Sequence, residues 1–149
     1  MSIQQKSAAY ISGALTGVED PVSIKAFYEA IGSLCRDFGL QAYVPHLNTD
    51  PIANPDLSPQ KVFEIDKYQV TNSDLIVAYI GCPSIGVGME IAYADVAKIP
   101  IILLYEVDRS VSRFPRGVPN AIAEIQFLSY DDALQKLKSV LEREVDRSI

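Results

Sequence analysis

"DLIVAYIGCPSIGVGMEIAYADVAK", residues 74–98, is the stretch whose reading decides the fold. It opens with a continuous apolar run, of the kind found in parallel strands covered on both faces. From near Gly86 the pattern turns helical, and the turn between the two holds Pro83, Ser84 and two alternating glycines. A buried strand entering a helix through a glycine-rich turn is one half of a βαβ unit.

The same alternation recurs outward from this stretch. Upstream, "AAYISG" reads as a short buried strand, and Asp20 with Pro21 supplies an N-cap and a first-turn proline for a helix running to about Phe38 and stopping at Gly39. "QAYVP" is the next strand. Residues 45–58 form a proline-rich irregular loop of a length that usually serves function, and Ser58 with Pro59 restarts a helix that ends near Asn72. Downstream, "IPIILLY" is a further buried strand, followed by a loop from Glu106 to about Val118 carrying Arg109, Arg113 and Arg116. "AEIQFLS" is the last strand, and Ser129 with Asp132 resembles a capping box that opens a helix to Val145. The reading is one domain over residues 1–149. Its class is α/β, a doubly wound, flavodoxin- or Rossmann-like parallel sheet of about five strands flanked by helices. Ligands in such sheets sit at the carboxyl ends of the strands, near the topological switch point.

Composition narrows the function classes. The chain has 149 residues, 48% hydrophobic and 21% charged, which is too apolar for disorder, and no apolar run approaches the roughly 20 residues of a membrane helix. A formal net charge of -6 argues against a nucleic acid polymer as partner, because backbone binding needs clustered lysine and arginine. The first residues lack the pattern of a secretory leader. The two cysteines, Cys35 and Cys82, match no zinc spacing and read as reduced thiols of a cytoplasmic protein. No metal and no cofactor is expected.

Glu90 lies close behind the glycine-rich turn, where it faces the crevice. One reading is an ordinary acid near a helix N-terminus, favoured by the macrodipole. The dinucleotide and P-loop readings fail on their own terms, because "GVGMEI" lacks the third glycine and no lysine follows. The other reading is a carboxylate kept ionised by the helix N-terminus and used as a nucleophile toward an electrophilic sugar carbon. A second group must then assist the leaving group, and Asp66 on the preceding helix is the candidate, with a solvated helix-face charge as its plain alternative. A lone loop histidine such as His46 is ordinarily exposed. Tyr79, Tyr93 and Tyr105 are candidates for lining the crevice, and Arg113 or Arg116 for supplying charge to a phosphate.

"YISGALTG", "EIDKYQVTNSDLIVAYIGCPSIGVGMEIAYA" and "PNAIAEIQ", in this order, resemble the nucleoside 2-deoxyribosyltransferase family, which also includes 2'-deoxynucleoside 5'-monophosphate N-glycosidases. The resemblance spans about Ala8 to Leu128 and implies a role for each matching position. Glu90 falls on the glutamate that attacks C1' of the sugar, Tyr10 on the tyrosine that orients it, and Asp66 on the aspartate that helps protonate the departing base. Asp74 also matches a recurrent acid, for which a structural role is expected. Apart from the resemblance, Gly86 and Gly88 are expected to supply backbone amides to a substrate phosphate, and Gly13 is a further substrate-binding candidate. Ser84 stands where the monophosphate N-glycosidases contact phosphate. Asn120 matches an asparagine that, in the transferases, reaches into a neighbouring subunit's site.

The implied function is therefore a transferase exchanging bases on (2'-deoxy)ribonucleosides through a glycosyl-glutamate, with side hydrolysis. A deoxynucleoside 5'-monophosphate N-glycosidase is the alternative, and a nucleotide-binding module without turnover is the third reading. The implied partners are nucleosides or nucleoside monophosphates, free nucleobases, and a second copy of the chain in a homodimer or higher homo-oligomer with shared sites.

Overall fold

A computed structural model describes residues 7–147. The leader reading rests in part on residues 1–6, which lie outside the described residues. The elements follow in the order β1 (Ala8–Ser12), α1 (Pro21–Asp37), β2 (Gln41–Tyr43), α2 (Pro59–Thr71), β3 (Leu75–Tyr79), α3 (Ile85–Val96), β4 (Ile101–Glu106), α4 (Arg113–Arg116), β5 (Ala121–Phe127) and α5 (Tyr130–Arg147). The five strands form one sheet in the order β2-β1-β3-β4-β5, and every pairing is parallel. The chain winds outward from β1 to β2, then returns and winds the other way through β3, β4 and β5. The switch point therefore falls between β1 and β3.

Local chemistry sets the helix boundaries. Asp20 accepts from the Ser23 amide ahead of Pro21, Ser58 accepts from the Lys61 amide ahead of Pro59, and Gly39 ends the first unit at φ +84°. Helices α1 and α5 cover one face of the sheet, where Phe27, Ile31 and Leu137 pack on Ala9, Ile11 and Val77. Helices α2 and α3 cover the other, where Val70, Val87 and Ile91 pack on Tyr10, Ile76 and Ala78. Strand β3 is buried at all five positions, as its unbroken apolar run requires, and its Leu75, Ile76 and Val77 side chains each contribute about 1.5–3 kcal/mol of burial.

Three local readings are adjusted. The last strand starts at Ala121 rather than Ala123, because a register shift opposite Ile101 and Ile102 lets its first residues pair before the regular alternation begins. The loop after β4 contains the short helix α4, with Ser112 accepting from the Phe114 amide. At the start of α5, Ser129 caps Asp132, but the Asp132 carboxylate bonds the Leu128 amide rather than closing the box on Ser129. Asp74 has the expected structural duty. Its carboxylate accepts from the Ala8 amide at 2.8 Å and pins the start of β1 to the turn before β3. Among the described residues no helix is long and apolar enough to cross a membrane.

Candidate active site

Strand alternation builds the first wall of the site. Residues two apart share a face, so Tyr10 and Ser12 both point from β1 toward α2 and α3, while Ala9 and Ile11 point into the opposite core. Tyr10 is in register with Tyr43 on β2, and the two rings stack with centroids 5.5 Å apart and planes 19° from parallel. The second wall is α3, which delivers Glu90 from its second turn to the Tyr10 and Ser12 hydroxyls.

Glu90 is not the exposed first-turn acid that the dipole argument pictures. It is the sixth residue of α3, and the first turn holds no acid. Its Oε2, the Tyr10 hydroxyl and the Ser12 hydroxyl are all buried and reach no partner at full hydrogen-bond geometry. Burial pushes the Glu90 carboxyl up to about 7, the nearby Asp66 charge adds to the rise, and the Ser12 and Tyr10 hydroxyls hold it down. The expectation of a carboxylate kept ionised by the helix N-terminus is therefore corrected: desolvation outweighs the dipole, which fades beyond the first turn. Burial and the same Glu90 charge push the Tyr10 hydroxyl far up, so it stays a proton donor.

Asp66 faces Glu90 from α2. Burial raises its carboxyl, while the hydroxyls of Thr49 and Tyr43 hold it down. The Thr49 hydroxyl lies 3.4 Å from the Asp66 carboxylate and 3.2 Å from the Pro45 carbonyl. Thr49 is held there by the loop after β2, which a 2.7 Å ion pair between Lys25 and Asp50 ties to α1. Tyr43, pushed up to about 12 by burial, keeps its proton, and its buried hydroxyl lies near Asp66 without closing a full hydrogen bond. The two stacked tyrosines thus bring their hydroxyls near the two carboxylates, Tyr10 beside Glu90 and Tyr43 beside Asp66, with neither hydroxyl at full hydrogen-bond geometry. Sequence reasoning missed Ser12, Tyr43 and Thr49. For the first two the available signal was strand register: the residue two after Tyr10 and the residue opposite it must share its face.

Between α2 and α3 opens a cavity of about 430 Å³, lined by Phe63, Asp66, Lys67, Met89, Glu90 and Tyr93 among others. Gly86 forms part of its floor. A Cβ built there would meet Ser84 Oγ at 3.9 Å and Glu90 Oε1 at 4.0 Å, so the α-carbon faces the slot between those groups. Ser84 is the N-cap of α3, and its Oγ accepts from the Val87 amide at 3.3 Å. The structure thus gathers Glu90, Tyr10, Asp66 and Gly86, whereas Ser84, close to Gly86, lines the cavity on the other side of α3.

The other predicted positions have different surroundings. A Cβ at Gly13 would lie 2.2 Å from the Tyr28 ring, so this glycine serves the packing of the β1–α1 turn, where the Tyr28 hydroxyl donates to the Ala14 carbonyl at 2.9 Å. Gly88 lines a separate cavity on the far side of α3, beside the loop that carries Val111 and Phe114. Asn120 sits before β5, where its amide group donates to the Asp95 carbonyl at 3.0 Å and to the Asp95 carboxylate at 2.8 Å. Asp95 is five residues beyond Glu90 on α3, so Asn120 is not brought to Glu90 within one chain.

Of the three tyrosines, Tyr93 lines the Glu90 cavity, Tyr79 turns to Glu106 and Tyr105 to Glu124. Arg116 is paired with Glu124 at 2.6 Å, and neither it nor Arg113 lines the Glu90 cavity. His46, expected on the surface, is buried, because a tight turn over Pro45–Leu47 folds it against Tyr28 and Glu29. Cys35 and Cys82 are free thiols. Among the described residues no cluster of three or more metal-ligating side chains is present.

No family model matches the chain. A protein of Methanosarcina mazei named 2'-deoxynucleoside 5'-phosphate N-hydrolase 1 is 28% identical over 142 residues, covering 90% of this chain and 83% of that protein. The fold is shared with the CMP N-glycosidase BcmB of Clostridium botulinum, at a TM-score of 0.70 and 21% identity over 90% of this chain and 99% of that one. It is shared as well with a 2-deoxyribosyltransferase of Bacillus psychrosaccharolyticus, at a TM-score of 0.64 and 16% identity over 91% and 96% of the two chains. Together with the motif order read above, these likenesses make the chain similar to the nucleoside 2-deoxyribosyltransferases and N-glycosidases, proteins named for action on the N-glycosidic bond.

Proposed function

We propose that this chain cleaves the N-glycosidic bond of 2'-deoxynucleoside 5'-monophosphates by way of a glycosyl ester on Glu90. The observation that carries the reading is the convergence of Tyr10, Ser12 and Asp66 on one buried carboxylate at the mouth of an apolar cavity. In the first step ionised Glu90 attacks C1' of the sugar. The bond from C1' to the base nitrogen breaks, its electron pair leaves with the base, and Asp66 hands the base a proton. Tyr10 and Ser12 orient the attacking oxygen by donating to the carboxylate. In the second step water adds to C1', loses its proton to Asp66, and releases Glu90.

The phosphate would sit at the start of α3, where the Ser84 hydroxyl and the first helix amides lie near Gly86 and the first turn holds no acid. An aspartate in place of Ser84 would repel it. The Methanosarcina relative, named for a 5'-phosphate substrate, supports the same choice.

Transfer to a second nucleobase is the other reading, favoured by the cavity itself, whose apolar walls suit a free base that waits on the ester. A time course with 2'-deoxyinosine, with and without adenine, run beside 2'-deoxyinosine monophosphate and repeated with Glu90→Ala, separates the readings. Hypoxanthine released mainly from the monophosphate, and lost in Glu90→Ala, is expected. Deoxyadenosine formed from the nucleoside and adenine would select the transferase. No cleavage by the wild type would leave a binding module.

We further propose a cytoplasmic homodimer. Helix α3 is apolar on its outer side as well as its inner one, with Ile85 88% and Val96 83% exposed, and Phe114 on α4 is 93% exposed. Exposed apolar side chains grouped in this way are normally covered, and a second copy of this surface would cover them.

A further inference from the structure

The cavity beside Glu90 has a direction. Gly86, near the start of α3 and close to the Ser84 hydroxyl, lies at one end, Glu90 in the middle, and Tyr93 one helical turn further on. A deoxynucleotide whose phosphate meets the first end and whose C1' meets Glu90 must send its base toward Tyr93 and the facing side of α2. That side presents Phe63, Lys67 and Val70, with Asp66 nearer the sugar.

Most of the walls there are hydrocarbon or aromatic, and the charged lining residues are Asp66, Lys67 and Glu90. Lys67 is the one ammonium in the lining. Its Nζ lies 4.9 Å from the centroid of the Tyr93 ring and 5.5 Å from that of Phe63, two rings that themselves meet edge to face at 6.1 Å. Among the described residues it forms no ion pair, whereas Lys25, Lys61 and Lys136 each have a carboxylate partner. The aromatic faces hold the ammonium in place electrostatically and use none of its hydrogens.

An ammonium is a donor of three hydrogens and accepts none. Opposite the far edge of a base it complements a carbonyl oxygen and repels the hydrogens of an exocyclic amino group. The electron pair released when the glycosidic bond breaks spreads into the base and onto such a carbonyl. An adjacent ammonium therefore stabilises the transition state more than the bound substrate.

We propose that Lys67, held on Phe63 and Tyr93, makes the site selective for nucleobases that carry a carbonyl at the edge remote from the glycosidic bond, the 6-oxopurines and 4-oxopyrimidines. The proposal rests on the glycosidic-bond reading above. Its test compares kcat/KM for two matched pairs, the deoxymonophosphates of hypoxanthine and adenine and those of uracil and cytosine, in wild type and in Lys67→Met, which keeps the apolar stem.

The wild type is expected to favour the oxo member of each pair by roughly tenfold or more, the range of a hydrogen bond to a charged group. Lys67→Met is expected to bring both ratios toward one, the oxo substrates losing at least about fivefold more than the amino ones, with an unchanged thermal midpoint. Equal wild-type rates, an amino preference, or an equal loss on all four substrates would overturn the assignment of Lys67 while leaving the glycosidic reading intact. No Glu90-dependent cleavage of any of the four would overturn the underlying reading, and the selectivity with it.

Discussion

Replacing Glu90 by glutamine should abolish cleavage and at the same time stabilise the protein, by an amount that depends on pH. Burial raises the Glu90 carboxyl from an ordinary 4.5 to about 7. The native state therefore holds this proton more tightly than the unfolded chain does. The resulting stability is fully present below 4.5, is lost as pH rises through 7, and stays lost above that. At about 1.4 kcal/mol per pH unit the interval amounts to about 3 kcal/mol. Glutamine has the same shape and no proton to lose. Glu90→Gln and wild type should then be of nearly equal stability at pH 4.5, while at pH 8 the variant should be more stable by about 3 kcal/mol, or roughly 10 °C in Tm for a domain of this size. Urea titrations of both proteins at the two pH values measure the difference. Equal stability at pH 8 would refute the claim that the carboxylate is held in a desolvated site. The same titration governs catalysis, since only the ionised form attacks: kcat/KM should climb as pH rises through about 7.

Two further predictions concern groups around the site. Tyr43→Phe keeps the ring stacked on Tyr10 but removes a hydroxyl that holds the Asp66 carboxyl down, so kcat should fall about fivefold with little change in KM, and the Asp66 limb of the pH–rate profile should move upward. A uniform loss with no movement of the profile would mean that the hydroxyl serves packing alone. Phe114→Asp places a charge on the most exposed apolar side chain beside α3 and should shift a dimer toward monomer in light scattering. A wild-type protein already monomeric at micromolar concentration would refute the dimer.

Much of this molecule follows from local chemistry. Asp20–Pro21, Ser58–Pro59 and Gly39 mark helix ends because capping and positive φ depend on adjacent residues, and the apolar run of β3 marks a buried parallel strand because both faces must be covered. The spacing of "GVGMEI" from its strand likewise places Glu90 near the crevice, and the motif resemblance is what singles out Tyr10 and Asp66 beside it. Tertiary structure decided the rest. Whether Glu90 is a solvated helix acid or a desolvated carboxyl depends on Tyr10 and Ser12, about 80 residues earlier, coming to lie beneath α3. Tyr43 and Thr49 join the site only because β2 pairs with β1 in one register and the following loop is tied to α1 by Lys25 and Asp50. Asn120 resembles a site residue in sequence, yet in the folded chain Asp95 takes its hydrogen bonds. Caps, turns and apolar periodicity are written in neighbouring residues, whereas desolvation and hydrogen-bond partnership are properties of contacts between distant ones.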